Sequence, residues 1–123
     1  MLLSEVPNAM QYEAARRRRW FQNEFFDLYV WETSDGIPVA FQLCYAKADE
    51  QRALRWSAED GYRHEGVDSP EDKPGRSISA IFVADGVFDP DGIGARFASD
   101  AIEIPEVIRN FVQSKISGYA PDR

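Results

Sequence analysis

Few side chains in this sequence could carry out nucleophilic catalysis. His64 is the only histidine and Cys44 is the only cysteine. A histidine acts as general base for a serine or cysteine only when the two side chains lie within hydrogen-bond reach. A hydrolase-like centre would therefore combine His64 with Ser57 or with Cys44, and this is our alternative to a non-enzymatic function. The sequence leaves open whether the protein is an enzyme.

The acidic segment 85–92 has the composition of a calcium-binding loop but not its spacing. Such a loop needs an acidic residue at its first position and a glutamate at its twelfth. Counted back from the last glycine of the segment, these positions hold Val87 and Ala98. The pair Asp89-Pro90 instead predicts the N-cap and the first residue of a helix. Because zinc-ligand spacings and phosphate-binding glycine motifs are also missing from the sequence, we expect neither a metal nor a cofactor.

Two strands around the pair Asp35-Gly36 hold most of the residues that we single out for binding. An Asp-Gly pair between alternating apolar runs is typical of a hairpin with a two-residue type I′ turn. This turn determines which residues lie opposite each other. The predicted pairs on one face are Ser34–Ile37, Val30–Phe41, Leu28–Leu43 and Phe26–Tyr45. All of these residues except Ser34 are apolar. On the other face they are Trp31–Ala40, Tyr29–Gln42 and Asp27–Cys44.

Two further strands extend this hairpin into a meander. Residues 54–58 alternate between apolar and polar side chains, and a second pair, Asp60-Gly61, predicts another two-residue turn. We expect Leu54 opposite Tyr45. Glu65 and Arg63 of the last strand then point inward, which is a known way of protecting a sheet edge. The second face of this sheet carries the rows Tyr29–Gln42–Ser57–His64, Asp27–Cys44–Arg55 and Trp31–Ala40–Glu59–Tyr62.

This second face is polar and aromatic, and the apolar pattern does not require anything to cover it. We therefore expect a ligand or a partner to bind there, with five contact residues: Tyr29, Trp31, Gln42, Arg55 and His64. Aromatic and arginine side chains are the usual anchors of such surfaces. One partner to consider is a second copy of the chain, since an exposed sheet face or edge can close a twofold homodimer. The leading hypothesis is a non-enzymatic binding or self-association domain.

Strand character also appears on either side of the meander. Residues 17–21 would pair with residues 25–33, and this would bring Arg18 or Arg19 opposite Asp27 as an ion pair across the strands. The apolar run 78–83 has the length of a strand, and its position in the sheet stays open.

The C-terminal third changes to a helical period. Apolar residues spaced by four follow the pair Asp89-Pro90, and they are Ile93, Phe97 and Ala101. Pro105 opens a second helix with one apolar stripe, formed by Val107, Ile108, Phe111, Val112 and Ile116. Strands followed by helices favour an α+β fold. We predict a single domain over residues 1–123, with an antiparallel meander sheet of four or five strands and two C-terminal helices packed on one face.

Charge and cysteine content restrict the partners and the location. A net charge of −7 argues against binding to nucleic acid or to an anionic membrane. The run Arg16–Arg19, followed by Trp20 and Phe21, is the one basic and aromatic cluster, but alternation along a strand would leave only two arginines on each face. We therefore expect no nucleic-acid partner. A single cysteine fits a reducing compartment, and no apolar run approaches the roughly 20 residues of a membrane span, so we expect a soluble cytoplasmic protein.

Four segments of the sequence are distinctive when they are taken together. They are Arg18-Arg19-Trp20-Phe21, Phe26-Asp27-Leu28-Tyr29-Val30-Trp31, Phe41-Gln42-Leu43-Cys44-Tyr45 and Ala53-Leu54-Arg55-Trp56. They resemble a family of short bacterial proteins of unknown function, and the similarity extends through Ala84-Asp85-Gly86 and the last helix. The resemblance implies a bacterial, cytoplasmic, stand-alone domain. It implies no activity, and it carries no functional residue over to this chain.

Overall fold

The computed structural model of the chain describes residues 2–7, 11–13, 16–46, 51–68, 81–84 and 88–119, and for 11–13, 65–68 and 81–84 it describes the backbone alone. These residues form one antiparallel sheet and two helices at the C-terminal end. The predicted α+β class is therefore confirmed. No described helix is long and apolar enough to cross a membrane.

The strands of the sheet are β1 (Ser4–Glu5), β2 (Gln11–Glu13), β3 (Arg16–Gln22), β4 (Phe26–Thr33), β5 (Pro38–Tyr45), β6 (Arg52–Ser57), β7 (Gly61–Asp68) and β8 (Ile81–Ala84). Strands β3 to β8 form a six-stranded antiparallel meander, and the short strands β1 and β2 pair with the outer side of β3. The meander has more strands than predicted because β3 and β8 join the strands around the two Asp-Gly turns. The run 78–83 thus finds its place in part as β8, while residues 78–80 lie outside the described part.

Strand β7 is not the predicted edge strand, because β8 pairs with it. The sequence predicts that Glu65 points inward, but its side chain is not among those that the structure describes.

The first hairpin has the predicted strand register but a different turn. All six predicted pairs of residues 26–31 are present. The loop nevertheless contains three residues, since Thr33 N donates a 2.9 Å hydrogen bond to Ile37 O. Within this loop Gly36 alone has a positive φ, at 81°. A one-residue bulge at Val39 restores the predicted register in the strands. The predicted type I′ turn, with its two-residue loop, is therefore wrong.

Strand β6 is displaced by two residues from its predicted register. Leu54 pairs with Leu43 rather than with Tyr45, and Arg55 pairs with Gln42. A displacement by an even number keeps each side chain on its predicted face of the sheet. Arg55 therefore lies on the second face, as predicted, beside a different neighbour.

Strand β7 is displaced by three residues, and this changes the face on which its described side chains lie. Three residues separate the paired Ser57 and Gly61, where the prediction has a two-residue turn. His64 consequently lies on the apolar face together with Tyr62, and Arg63 lies on the second face. The predicted positions of all three side chains are therefore wrong.

The basic run forms the predicted strand beside β4. Gln22, rather than an arginine, lies opposite Asp27, so the predicted ion pair between these strands is wrong. Alternation along β3 gives two arginines to each face, as predicted. Arg17 and Arg19 share the face of Val30 and Glu32, whereas Arg16 and Arg18 share the second face with Trp31 and Thr33.

Two helices cover the apolar face. α1 (Pro90–Asp100) begins after the predicted N-cap Asp89, whose side chain accepts a hydrogen bond from the backbone of the first turn. α2 (Glu106–Ser117) follows Pro105, as predicted. Val107 is 62% exposed and is not part of the buried stripe. Fully buried side chains between sheet and helices are Phe26, Leu28, Val30, Phe41, Leu43 and Leu54 from the strands and Phe97, Ile108, Val112 and Ile116 from the helices.

Candidate functional site

Two neighbouring rows of side chains run across the second face of the sheet, and we call them together the open face. One row is Trp20, Tyr29, Gln42, Arg55 and Arg63, and the other is Arg18, Trp31, Ala40, Ser57 and Gly61. All of these residues except Ala40 keep part of their surface exposed. Farther from the two turns, Cys44 and Ala53 on the same side of the sheet are buried. The accessible part of this face therefore lies toward the turns at 34–36 and 58–60.

A groove of about 570 Å³ occupies this part of the open face. The side chains that matter for its chemistry are Arg16, Trp31, Gln42, Arg55, Ser57 and Arg63. Three of the five predicted contact residues therefore line it, namely Trp31, Gln42 and Arg55. Tyr29 lies beside Gln42 in the same row but does not line the groove.

An ion pair crosses one end of the groove. Arg16 Nη2, from β3, lies 2.8 Å from Glu59 Oε2, in the turn between β6 and β7. The hydrogen bond from Arg16 holds the pKa of the Glu59 carboxyl below its ordinary value. The charge of Arg16 is thus already compensated within the protein.

Aromatic stacking fixes the β3 side of the open face. The rings of Trp20 and Tyr29 lie 5.7 Å apart at an interplanar angle of 16°. Trp20 Nε1 donates a 3.1 Å hydrogen bond to Asp27 Oδ1, and the Arg18 guanidinium lies 5.4 Å from the centre of the Tyr29 ring. Burial, with the charge of Asp27 as the next cause, raises the pKa of the Tyr29 hydroxyl. Tyr29 is therefore a neutral hydrogen-bonding group at physiological pH.

Gln42 lies between Arg55 and Cys44. Its Oε1 accepts a 2.9 Å hydrogen bond from Arg55 Nε, and its Nε2 lies 3.3 Å from Cys44 Sγ. The predicted direct pairing of Arg55 with Cys44 across the strands is therefore wrong. Since Cys44 is only 5% exposed, its thiol is not an accessible part of the groove.

His64 lies on the other side of the sheet, and its predicted place among the contact residues of the second face is wrong. The side chain is buried and shares a 2.5 Å hydrogen bond between its Nε2 and the Tyr45 hydroxyl. The two rings also stack at an angle of 11°, and Phe88 packs 5.2 Å from the imidazole. His64 is thus a hydrogen-bonded part of the apolar core.

The sheet itself separates the groups of the predicted catalytic pairs. Ser57 and Cys44 belong to the side of the open face, whereas His64 belongs to the side covered by the helices. Neither pair has the hydrogen-bond contact that general-base activation of a nucleophile needs. Among the described residues, no group of three histidine, cysteine, aspartate or glutamate side chains is arranged to hold a metal ion.

Sequence reasoning missed Arg63 as a residue of the groove. A usable signal was present, because the rings of Tyr62 and His64 alternate with the charged residues at 63 and 65. A face that buries the two rings is more favourable than one that buries two charges. Reading this alternation first would have placed Arg63 on the second face.

Comparisons of the chain with protein-family models, with curated proteins and with solved structures gave no match.

Proposed function

We propose that this chain is a non-enzymatic binding domain that holds a small ligand in the groove of its open face. The observation that carries the proposal is the groove itself, in which Trp31, Gln42 and Arg55 come together from three adjacent strands. The resemblance to short bacterial proteins supports a bacterial origin, and the single cysteine supports a cytoplasmic location.

The size and lining of the groove support a small ligand. Ligand sites typically have volumes of roughly 300–1,000 Å³ and combine aromatic surface with a few convergent polar groups. The groove, at about 570 Å³, falls within this range. Trp31 supplies the aromatic surface, and Gln42, Ser57 and Arg55 supply hydrogen-bonding groups. Strands hold these side chains, so that much of the site exists before a ligand binds.

Self-association is the competing form of this hypothesis. A homodimer through the open face would cover the same residues, because a twofold interface uses the same surface of both copies. The separation of His64 from Ser57 and Cys44 gives the hydrolase alternative no geometric support at these residues.

A thermal-unfolding screen tests the proposal. Wild-type protein, Trp31→Ala and the control Val107→Ala are heated with small molecules of cationic, neutral and anionic classes, and sedimentation velocity gives the association state. Val107 is exposed on α2, away from the open face, so its truncation controls for loss of apolar surface. A ligand at a concentration about a hundredfold above its Kd stabilises the native state by about 2.7 kcal/mol, which raises Tm by several degrees.

We expect at least one class to raise the Tm of wild type and of Val107→Ala but not of Trp31→Ala, with all proteins monomeric. If the wild type is a dimer and Trp31→Ala dissociates it, the occupant of the open face is a second copy of the chain and not a small ligand. A wild-type monomer that no class stabilises would contradict the proposal.

A further inference from the structure

We propose that the ligand of the groove is a neutral, flat, two-ring molecule that carries a hydrogen-bond donor and an acceptor at one end, as an aromatic amide does. Its rings would stack on Trp31, and its polar end would contact Asp60 and Arg63. This inference rests on the proposed binding function and adds the chemical class of the ligand.

The first observation is the state of the Trp31 ring. Trp20 stacks on Tyr29, and Trp56 packs against Phe111 of α2. Trp31 lines the groove, is only half-buried, and has no ring contact with any residue that the structure describes. A second aromatic ring stacked on an indole gains an interaction beyond the burial of its apolar surface. Trp31 therefore favours a flat aromatic ligand.

The second observation is the space beside this ring. The row of Trp31 continues with three small residues, Ala40, Ser57 and Gly61, on the next three strands. Neighbouring strands lie roughly 4.8 Å apart, so Trp31 and Gly61 are separated by roughly 14 Å across the sheet. The small side chains leave room next to the indole along the floor of the groove. Two fused rings with a polar substituent fit such a floor.

The third observation is a pair of opposite charges at the β7 end of the groove. Asp60, in the turn before β7, and Arg63, within β7, are exposed, and both line the groove. Neither side chain forms a hydrogen bond or an ion pair within the described part of the chain, and so they do not pair with each other. The carboxylate and the guanidinium are therefore both available to a ligand.

These two groups together select a neutral ligand with a donor and an acceptor. An ionised carboxylate only accepts hydrogen bonds, and a guanidinium only donates them. A primary amide complements both, because its NH₂ group can donate to Asp60 while its carbonyl oxygen accepts from Arg63. The Ser57 hydroxyl adds a further donor, since its oxygen accepts a 3.0 Å hydrogen bond from Asp60 N and its own hydrogen remains to be donated. A full charge of either sign would be repelled by one of the two charged residues.

The other charged groups that line the groove already have partners within the protein. Glu59 is engaged by Arg16 at 2.8 Å. Arg55 Nε donates a 2.9 Å hydrogen bond to a side chain of the neighbouring strand β5, and this is not the only contact of Arg55 within the chain. We therefore assign the selection of the polar end to Asp60 and Arg63.

Calorimetric titration with matched probes tests this inference. The probes are 2-naphthamide, its ester analogue methyl 2-naphthoate, the anion 2-naphthoate, and cyclohexanecarboxamide. The ester keeps the two rings and an acceptor but has no donor, whereas cyclohexanecarboxamide keeps the amide but has no flat ring. We expect 2-naphthamide to bind at least about tenfold more tightly than each of the other three, because each of them loses either a charge-assisted hydrogen bond or the stacked rings.

Two pairs of variants locate the polar end of the ligand. Asp60→Asn should weaken binding of 2-naphthamide by about fivefold and strengthen binding of 2-naphthoate, because a charged acceptor is lost for the amide and a like charge is removed for the anion. Arg63→Gln should weaken binding of both probes by about tenfold. The matched controls Asp91→Asn on α1 and Arg109→Gln on α2 lie on the other side of the sheet and should leave every affinity unchanged. Circular dichroism and Tm of each variant show that it is folded.

The outcomes separate this inference from the function on which it rests. If any of the other three probes binds as tightly as 2-naphthamide, or if Asp60→Asn and Asp91→Asn behave alike, the chemical class is wrong while the binding function stands. The same holds if no probe binds but a class of molecules raises Tm in the thermal screen. If neither the probes nor any class in the screen binds, both proposals fail together.

Discussion

Glu32 is a charged side chain that is almost completely buried, with 2% of its surface exposed. On the apolar face of β4 it is the next side chain after Val30. Arg17 Nε lies 2.6 Å from its Oε1, and Arg19 Nη1 lies 3.6 Å from its Oε2. A buried carboxylate is tolerated when cations pair with it, and removing one member leaves the others uncompensated. The two ion pairs of Glu32 therefore connect β4 to β3 through side chains, in addition to the backbone pairing of the strands.

We predict that Glu32→Ala destabilises the protein by about 3 kcal/mol, the lower end of the range for breaking a buried ion pair, because Arg17 retains access to water. Urea unfolding followed by circular dichroism measures this. The matched control is Glu59→Ala, which breaks the exposed pair with Arg16 and should have a much smaller effect. Equal losses in the two variants would contradict the assignment of Glu32 as a buried structural anion.

Glu5 provides a pH-dependent contribution to stability. Its carboxylate accepts hydrogen bonds of 2.7 and 2.8 Å from Arg19, and this lowers its pKa below the ordinary value of 4.5. A carboxyl whose pKa is lower in the folded state stabilises that state above the unfolded pKa, and the contribution disappears as the pH falls through the folded pKa.

We therefore predict that the difference in unfolding free energy between wild type and Glu5→Gln is constant from neutral pH down to about 4.5 and vanishes at more acidic pH. The difference should stay below about 1 kcal/mol, since the pair is partly exposed to solvent. Urea titrations at a series of pH values measure it. A difference that persists at acidic pH, or that grows there, would show that the hydrogen bonds do not depend on the charged carboxylate.

At the level of elements, the two Asp-Gly turns decide where the side chains of the open face lie. In the first hairpin, a three-residue loop shifts the register by one residue, and the bulge at Val39 shifts it back. In the second hairpin, three residues separate Ser57 from Gly61 and no compensating bulge follows in the described pairs. The same dipeptide therefore leaves the first pair of strands in its expected register and displaces the second.

The backbone conformation of Gly36 in the first loop gives a test. Gly36 has a φ of 81°, and a Cβ added there would have its nearest contact at 3.7 Å, with Arg17. The cost of Gly36→Ala is therefore conformational, and we predict a loss of about 1 kcal/mol in unfolding free energy. Asp35→Ala should change stability by less than about 0.5 kcal/mol, as surface substitutions usually do. Comparable losses at both positions would point to a type I′ turn, which needs positive φ at both residues.

The contrast between the hairpins explains how much of the site could be predicted from the sequence. Tyr29, Trp31 and Gln42 were placed correctly because they depend on one hairpin with strong alternation on both strands. Strand β6 is displaced by two residues from its predicted register, and because this number is even, Arg55 stays on the predicted second face. The position of His64 depends on whether a loop has two or three residues, and the Asp-Gly signal does not distinguish these lengths. The helices were predictable because the capping residues and the apolar spacing agree.

At the level of the whole molecule, the sheet divides the protein into two sides with different chemistry. One side is a core of apolar side chains closed by α1 and α2, into which His64 is hydrogen-bonded through Tyr45. A buried polar contact also joins α1 to the turn between β3 and β4, since Asn23 Nδ2 donates a 2.9 Å hydrogen bond to Asp100 Oδ2. The other side holds the groove. Because strands carry the side chains that line the groove, the sheet holds these side chains in defined positions.

The most direct test of this division is an NMR titration that follows the three tryptophan indole N–H signals of ¹⁵N-labelled protein. Trp31 lines the groove, Trp20 is stacked on Tyr29 in the neighbouring row, and the Trp56 ring lies on the helix side with Lys115 Nζ 3.9 Å from its centre. The titrants are 2-naphthoate and, in a second series, 2-naphthamide, so that the result does not depend on the charge of the probe. If the open face is the binding face, the Trp31 signal shifts with saturation while the Trp56 signal stays unchanged. A saturable shift of Trp56 with Trp31 unmoved, or no shift of any indole signal, would contradict it.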